Sequence, residues 1–145
     1  MYIISACLAG RNCKYNGGNN ECGWVSDFIK VHNCVLACPE EKLLGIPRPP
    51  AEIKGGRAID KNGKDITDEL TEGAAESWEE AVSAAAASGE KIEGAILKAN
   101  SPSCGAGKVY DGTFTGNLTD GDGFFAKLLK EKGVGATTEK ESTKW

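Results

Sequence analysis

Histidine is nearly missing from this chain of 145 residues: there is one, His32, and only one methionine. A lone imidazole removes most routes to Cys–His nucleophilic catalysis and to mixed Cys/His zinc sites. His32, at the start of an expected strand, reads as a surface or satisfied core residue. Long apolar runs are also missing, and no stretch approaches the ~18 residues needed to cross a bilayer. The start, Met1-Tyr2-Ile3-Ile4-Ser5-Ala6-Cys7-Leu8, has no basic segment and turns polar at Gly10-Arg11-Asn12, too early for a secretion signal. Basic residues are scattered and the net charge is −4, which argues against a nucleic-acid polymer as partner. A small anion met by one or two local bases stays open. No two cysteines are spaced CxxC, which excludes a thioredoxin motif and a zinc knuckle.

What is present is ordinary in bulk and unusual in its cysteines. An apolar content of 40% and a charged content of 26% suit one globular domain spanning residues 1–145. Six cysteines without a secretion context place the chain in a reducing cytoplasm, where thiols serve metals or catalysis rather than disulfides.

Residues 2–7 read as a buried strand, 24–30 as a short helix, 31–37 as a second strand and 94–98 as a third. Pro39 and Pro47-Arg48-Pro49-Pro50 suggest an extended stretch. Residues 57–60 and 64–67 around Asn62-Gly63 suggest a small hairpin. Asp68 and Glu69 favour a helix start, and Leu70, Ala74, Trp78, Ala81 and Val82 would share one side of a long helix to Ala87, stopped by Gly89. A Gly-rich loop over 102–123, a helix over 124–132 and a strand over 134–138 complete the order. The alternation predicts an α/β fold: a three-layer domain with a mostly parallel sheet of about four strands, helices on both faces and long site-forming loops.

Cys7 and Cys38 each close a hydrophobic run, and Cys104 follows a third run by one turn. If the runs are parallel strands, their C-terminal ends line one sheet edge, where such folds build sites. Three thiols gathered there can hold zinc with a fourth position open, hold a [4Fe–4S] cluster through three irons, or act as a nucleophile with resolving partners. Cys34 shares a strand face with Cys38 at about 13 Å and reads as core. Cys22 reads as a bystander. Cys13, six residues after Cys7, can be a ligand, a sulfur acceptor or a buried small hydrophobe. Glu40 stands beside Cys38 as a candidate acid or base, and Ser101 and Ser103 precede Cys104 as hydrogen-bonding groups. Arg48, stiffened between prolines, and Lys98, at a strand end, are candidate anion contacts.

Ser5-Ala6-Cys7-Leu8-Ala9-Gly10, Cys13-Lys14-Tyr15-Asn16-Gly17, Cys38-Pro39-Glu40, Pro47-Arg48-Pro49-Pro50-Ala51-Glu52-Ile53, Ser101-Pro102-Ser103-Cys104-Gly105 and Tyr110-Asp111-Gly112-Thr113-Phe114 stand in order along nearly the whole chain. They resemble the thiouracil desulfidase family, small bacterial and archaeal proteins formerly known as a domain of unknown function. The resemblance implies an oxygen-sensitive [4Fe–4S] cluster on Cys7, Cys38 and Cys104 with its fourth iron open. It also implies a thiolated pyrimidine substrate, and Glu40, Ser101 and Ser103 as proton-handling or orienting groups. Tyr15 or Tyr110 would stack on the ring. Relative to that pattern, Ala9 stands where a second large aliphatic residue is usual, and Lys14 and Asn16 where Arg and Asp are common. Glu41-Lys42-Leu43-Leu44-Gly45 replaces a Gly-rich stretch, so the implied ligands are intact while the pocket rim differs. Two other functions remain open: sulfur transfer with Cys13 as relay, and a non-catalytic module stabilised by zinc or a cluster.

Overall fold

The computed structural model describes residues 1–141. Its elements begin with β1 (Tyr2–Ser5), a 3-10 turn (Ala6–Ala9), α1 (Gly23–Val31), β2 (Cys34–Ala37), α2 (Pro39–Leu44), β3 (Ala51–Lys54) and β4 (Arg57–Asp60). They continue with α3 (Thr67–Ala87), β5 (Gly94–Leu97), β6 (Lys108–Tyr110), β7 (Leu118–Asp120), α4 (Phe124–Glu131) and β8 (Ala136–Thr138). The central sheet has the order β2-β1-β5-β8, and every neighbouring pair is parallel.

Both faces of this sheet are covered, so its inner strands are apolar without alternation. Ile3, Ala95 and Leu97 point into a core with Phe125 and Leu129 of α4 and Ala74 and Ala81 of α3. Their neighbours Ile4 and Ile96 point the other way, into a core with Val25 and Phe28 of α1. Successive residues facing opposite ways is the period of two expected of a strand. The result is three layers. From the central pair, the chain crosses to β2 by α1 on one face and to β8 by α4 on the other. The C-terminal ends of β1 and β5 therefore form a topological switch point, where a crevice opens. Among the described residues no helix is long and apolar enough to cross a membrane.

Several expectations shift. The first strand stops at Ser5, because Ala6–Ala9 winds into a 3-10 turn that carries Cys7. The second strand begins at Cys34, not residue 31, since α1 runs on through Val31. Pro39 opens α2 rather than an extended stretch: it occupies the first helical position, where its missing N–H costs nothing. The hairpin pairs β3 with β4 through Gly55-Gly56, both at positive φ, the tight turn that a two-residue connection favours. The Asn62-Gly63 turn does form, yet brings residue 65 to Ile59 by only one bridge. The loop over 102–123 contains the β6–β7 hairpin. On α3 the buried stripe runs through Leu70, Gly73, Ala74, Ser77, Ala81 and Ala85, and Val82 is exposed.

Candidate metal centre

Three strand ends deliver the thiols. Cys7 sits in the 3-10 turn after β1, Cys38 directly after β2 at the N-terminus of α2, and Cys104 in the turn after β5. All three line one cavity of about 420 Å³ at the switch point, together with Cys13. The turn carrying Cys104 is fastened to α4. Phe124 N–H donates to Pro102 O at 2.9 Å, and Phe125 and Ala126 donate to Ser103 O at 2.8 and 3.2 Å. Those are unpaired donors of a helix start, so the cysteine turn caps α4 and α4 holds the turn. Inside the turn, Ser101 Oγ accepts from the N–H groups of Ser103 and Cys104, each at 3.1 Å.

The four sulfurs are not equivalent. Cys13 lies between Cys7 and Cys38 and shares its single S–H with the two sulfurs, so that proton is held and its pKa is pushed far up. That donation lowers Cys7, helped by Asn20 (Nδ2 to Sγ 3.5 Å) and Lys98, against burial. It lowers Cys38 as well, with the Glu41 N–H and Arg48 adding to the effect. Burial pushes the Cys104 thiol up, against the Ser5 hydroxyl. Cys7 and Cys38 are thus shifted toward the thiolate, while positive charge in the cavity would offset the burial that pushes Cys104 up. A soft cation supplies that charge, and metal ligands must be deprotonated. This all-sulfur donor set fits a soft metal or an iron–sulfur cluster.

One cavity wall is polar. Glu40, in the first turn of α2, is pushed up by burial, and Arg48, Ser103 and Ser101 pull against that rise. Arg48 Nε is 3.8 Å from its carboxyl, and Ser101 Oγ donates to it at 3.4 Å. Ser103 Oγ is fully buried beside the same carboxyl and has no hydrogen-bond partner among the described residues. Arg48 is itself anchored: Nη1 donates to Gly45 O at 2.9 Å and Nη2 to Cys13 O at 2.8 Å. Lys98 pairs with Glu139 at 3.1 Å. Tyr15, in the loop before α1, and Tyr110, at the end of β6, line the cavity, and Tyr15 is 42% exposed.

Other cysteines stay outside. Cys22 is half-buried at the N-terminus of α1, and Cys34 is half-buried against the α1-side core with its thiol on His32 O. His32 stacks on Phe28 at 3.9 Å, on the surface and away from the cavity. Three contributors are missing from the candidates the sequence offers. Ser5, buried in β1, accepts the Lys98 N–H at 2.9 Å and faces Cys104. Asn20 reaches Cys7 from the Gly-rich loop, where nothing but its amide marked it. Glu139, just past β8, accepts the Ala99 N–H at 2.7 Å and so ties the last strand to the Cys104 segment.

Comparison with known proteins bears on the family and the fold. The family model described as 2-thiouracil desulfurase matches residues 2–141. The uncharacterized protein YbbK of Bacillus subtilis (strain 168) is 38% identical over 97% of each chain. A solved [4Fe-4S]-dependent thiouracil desulfidase, TudS, superposes with a TM-score of 0.81 at 34% identity, covering 99% of this chain and 93% of its own. Matched almost end to end in sequence and in backbone, the chain belongs to the 2-thiouracil desulfurase family.

Proposed function

We propose that this protein is a desulfidase that converts the C=S group of a thiolated pyrimidine base or nucleotide to C=O at a [4Fe–4S] cluster held by Cys7, Cys38 and Cys104. The observation that most supports this reading is that thiols from three separate strand ends open onto one cavity beside a half-buried carboxyl. It stands with the likeness to TudS, itself a [4Fe-4S]-dependent thiouracil desulfidase. Such a cluster, when bound, supplies an iron that the protein leaves open, a soft Lewis acid matched to a thiocarbonyl sulfur.

The chain's residues do the rest. Water adds its oxygen to the ring carbon, and the sulfur leaves as hydrosulfide. A thiocarbonyl plus water gives a carbonyl plus hydrogen sulfide, so no net electrons move. Glu40 takes the proton of the attacking water and returns it to the departing sulfur, with Ser101 Oγ, 3.4 Å from its carboxyl, as the relay. Arg48, fixed by two backbone carbonyls, holds the Glu40 carboxyl in place. Tyr15 and Tyr110 offer ring faces to a flat substrate. Lys98 lines the cavity, and Ser103 stands behind the Glu40 carboxyl without lining it.

The test is anaerobic reconstitution of Cys7→Ala, Cys38→Ala and Cys104→Ala, followed by iron and sulfide analysis. Each variant should lose the cluster, and the wild type should release hydrosulfide from 2-thiouracil or 4-thiouridine monophosphate. A variant that keeps full iron content would remove that residue from the ligand set.

A further inference from the structure

A second ligand set lies against Cys38. The sulfurs of Cys13 and Cys38 and a carboxylate oxygen of Glu41 all fall within 4.8 Å of one another. Chain geometry builds this trio. Cys38 is the residue before α2 and Glu41 is in its first turn, a separation of three that places both side chains on one side of the helix start. Cys13 is brought over by the loop after β1, and Cys38 Sγ lies 3.6 Å from its carbonyl oxygen.

Two further observations favour a cation here. Cys38 and Glu41 line a smaller cavity of about 190 Å³, distinct from the one that takes in Cys7 and Cys104. Cys13 lines the larger cavity, so the trio spans the wall between the two, with Cys38 lining both. The Glu41 carboxylate is also oriented by Arg11, whose Nη2 is 3.2 Å from one oxygen and 3.1 Å from the other. Ligating carboxylates are commonly oriented by an outer hydrogen-bond partner.

We infer that Cys13, Cys38 and Glu41 form a binding site for a thiophilic divalent cation of the zinc class. Two thiolates and one carboxylate leave the fourth tetrahedral position to water. Binding releases the two thiol protons and transfers no electrons. Because Cys38 belongs to both sets, zinc and the cluster exclude each other. That exclusion, though not the site itself, rests on the cluster reading above.

The experiment titrates the reduced, chelator-treated, cluster-free full chain with Zn²⁺ under argon, in competition with a chromogenic chelator. One equivalent should bind. Cys13→Ser and Glu41→Gln should each weaken binding by at least about tenfold, Cys38→Ser should abolish it, and Cys104→Ser should leave it unchanged. In parallel, Glu41→Gln should accept wild-type amounts of iron and sulfide, whereas Cys104→Ser should not. Zinc-loaded wild type should resist reconstitution until the zinc is chelated. Failure to bind one zinc, an unaffected Glu41→Gln, or a Cys104→Ser as weak as Cys13→Ser would overturn the site. A wild type that binds zinc as described but never takes up iron would sink the cluster reading alone.

Discussion

Glu40 sits two residues beyond Cys38, yet the turn of α2 separates their tasks: the thiol faces the sulfur group, and the carboxyl faces Arg48, Ser103 and Ser101. Substituting Glu40→Gln preserves volume and removes the exchangeable proton. Cluster-loaded Glu40→Gln enzyme should lose about 10²–10⁴-fold in kcat with iron content intact, measured as hydrosulfide release. An unchanged kcat would leave Glu40 as wall only. Ser5 and Asn20 work at the same scale. Each donates toward a sulfur, Asn20 from a loop with no pattern of its own and Ser5 from the buried end of β1.

At the scale of elements, the site depends on close packing behind it. Gly73 of α3 faces Pro39 of α2: a Cβ at Gly73 would lie 2.2 Å from the Pro39 carbonyl oxygen. Alanine gains about 1 kcal/mol in helix propensity, but overpacking against fixed backbone costs typically 1–3 kcal/mol. At 2.2 Å the contact is with main chain, which cannot rotate away, so the steric cost wins. Gly73→Ala should therefore lower Tm and reduce cluster uptake, because α2 carries Cys38 at its start. Gly23→Ala, where a Cβ meets nothing within 4 Å, should leave Tm unchanged or raise it. Thermal melts of the pair decide the matter: equal behaviour would mean that α2 moves freely on α3. Gly123 plays the matching part for Cys104, with a Cβ there 2.4 Å from the Ser103 carbonyl carbon.

Across the whole molecule, Cys7, Cys38 and Cys104 stand at the ends of β1, β2 and β5, so a group bound to all three ties neighbouring strands together. Binding to the folded state at a hundredfold excess over its Kd should raise Tm by about 5–10 °C. Comparing cluster-loaded and chelator-stripped protein by calorimetry checks this, and coincident melts would show that the group bridges nothing. The strands themselves were legible because buried parallel strands read as short apolar runs, as at Ile3-Ile4 and Ala95-Ile96-Leu97. The long helix was legible from its charges and spacing. The α2 helix was hidden: proline at a first helical position looks like a breaker until the turn that follows is seen. The β3–β4 hairpin was misplaced because Asn62-Gly63 is the more familiar turn pair, while Gly55-Gly56 does the pairing. By itself the sequence determined the α/β order, the lack of a histidine-based centre and the three cysteines at strand ends, since these follow from local pattern and residue type. Only the tertiary structure decided that Cys13 sits between Cys7 and Cys38, that Ser5, Asn20 and Glu139 join the site, and that Glu41 meets two sulfurs. Those contacts join residues distant in the chain or turned together by a helix start, and no linear spacing encodes such a distance.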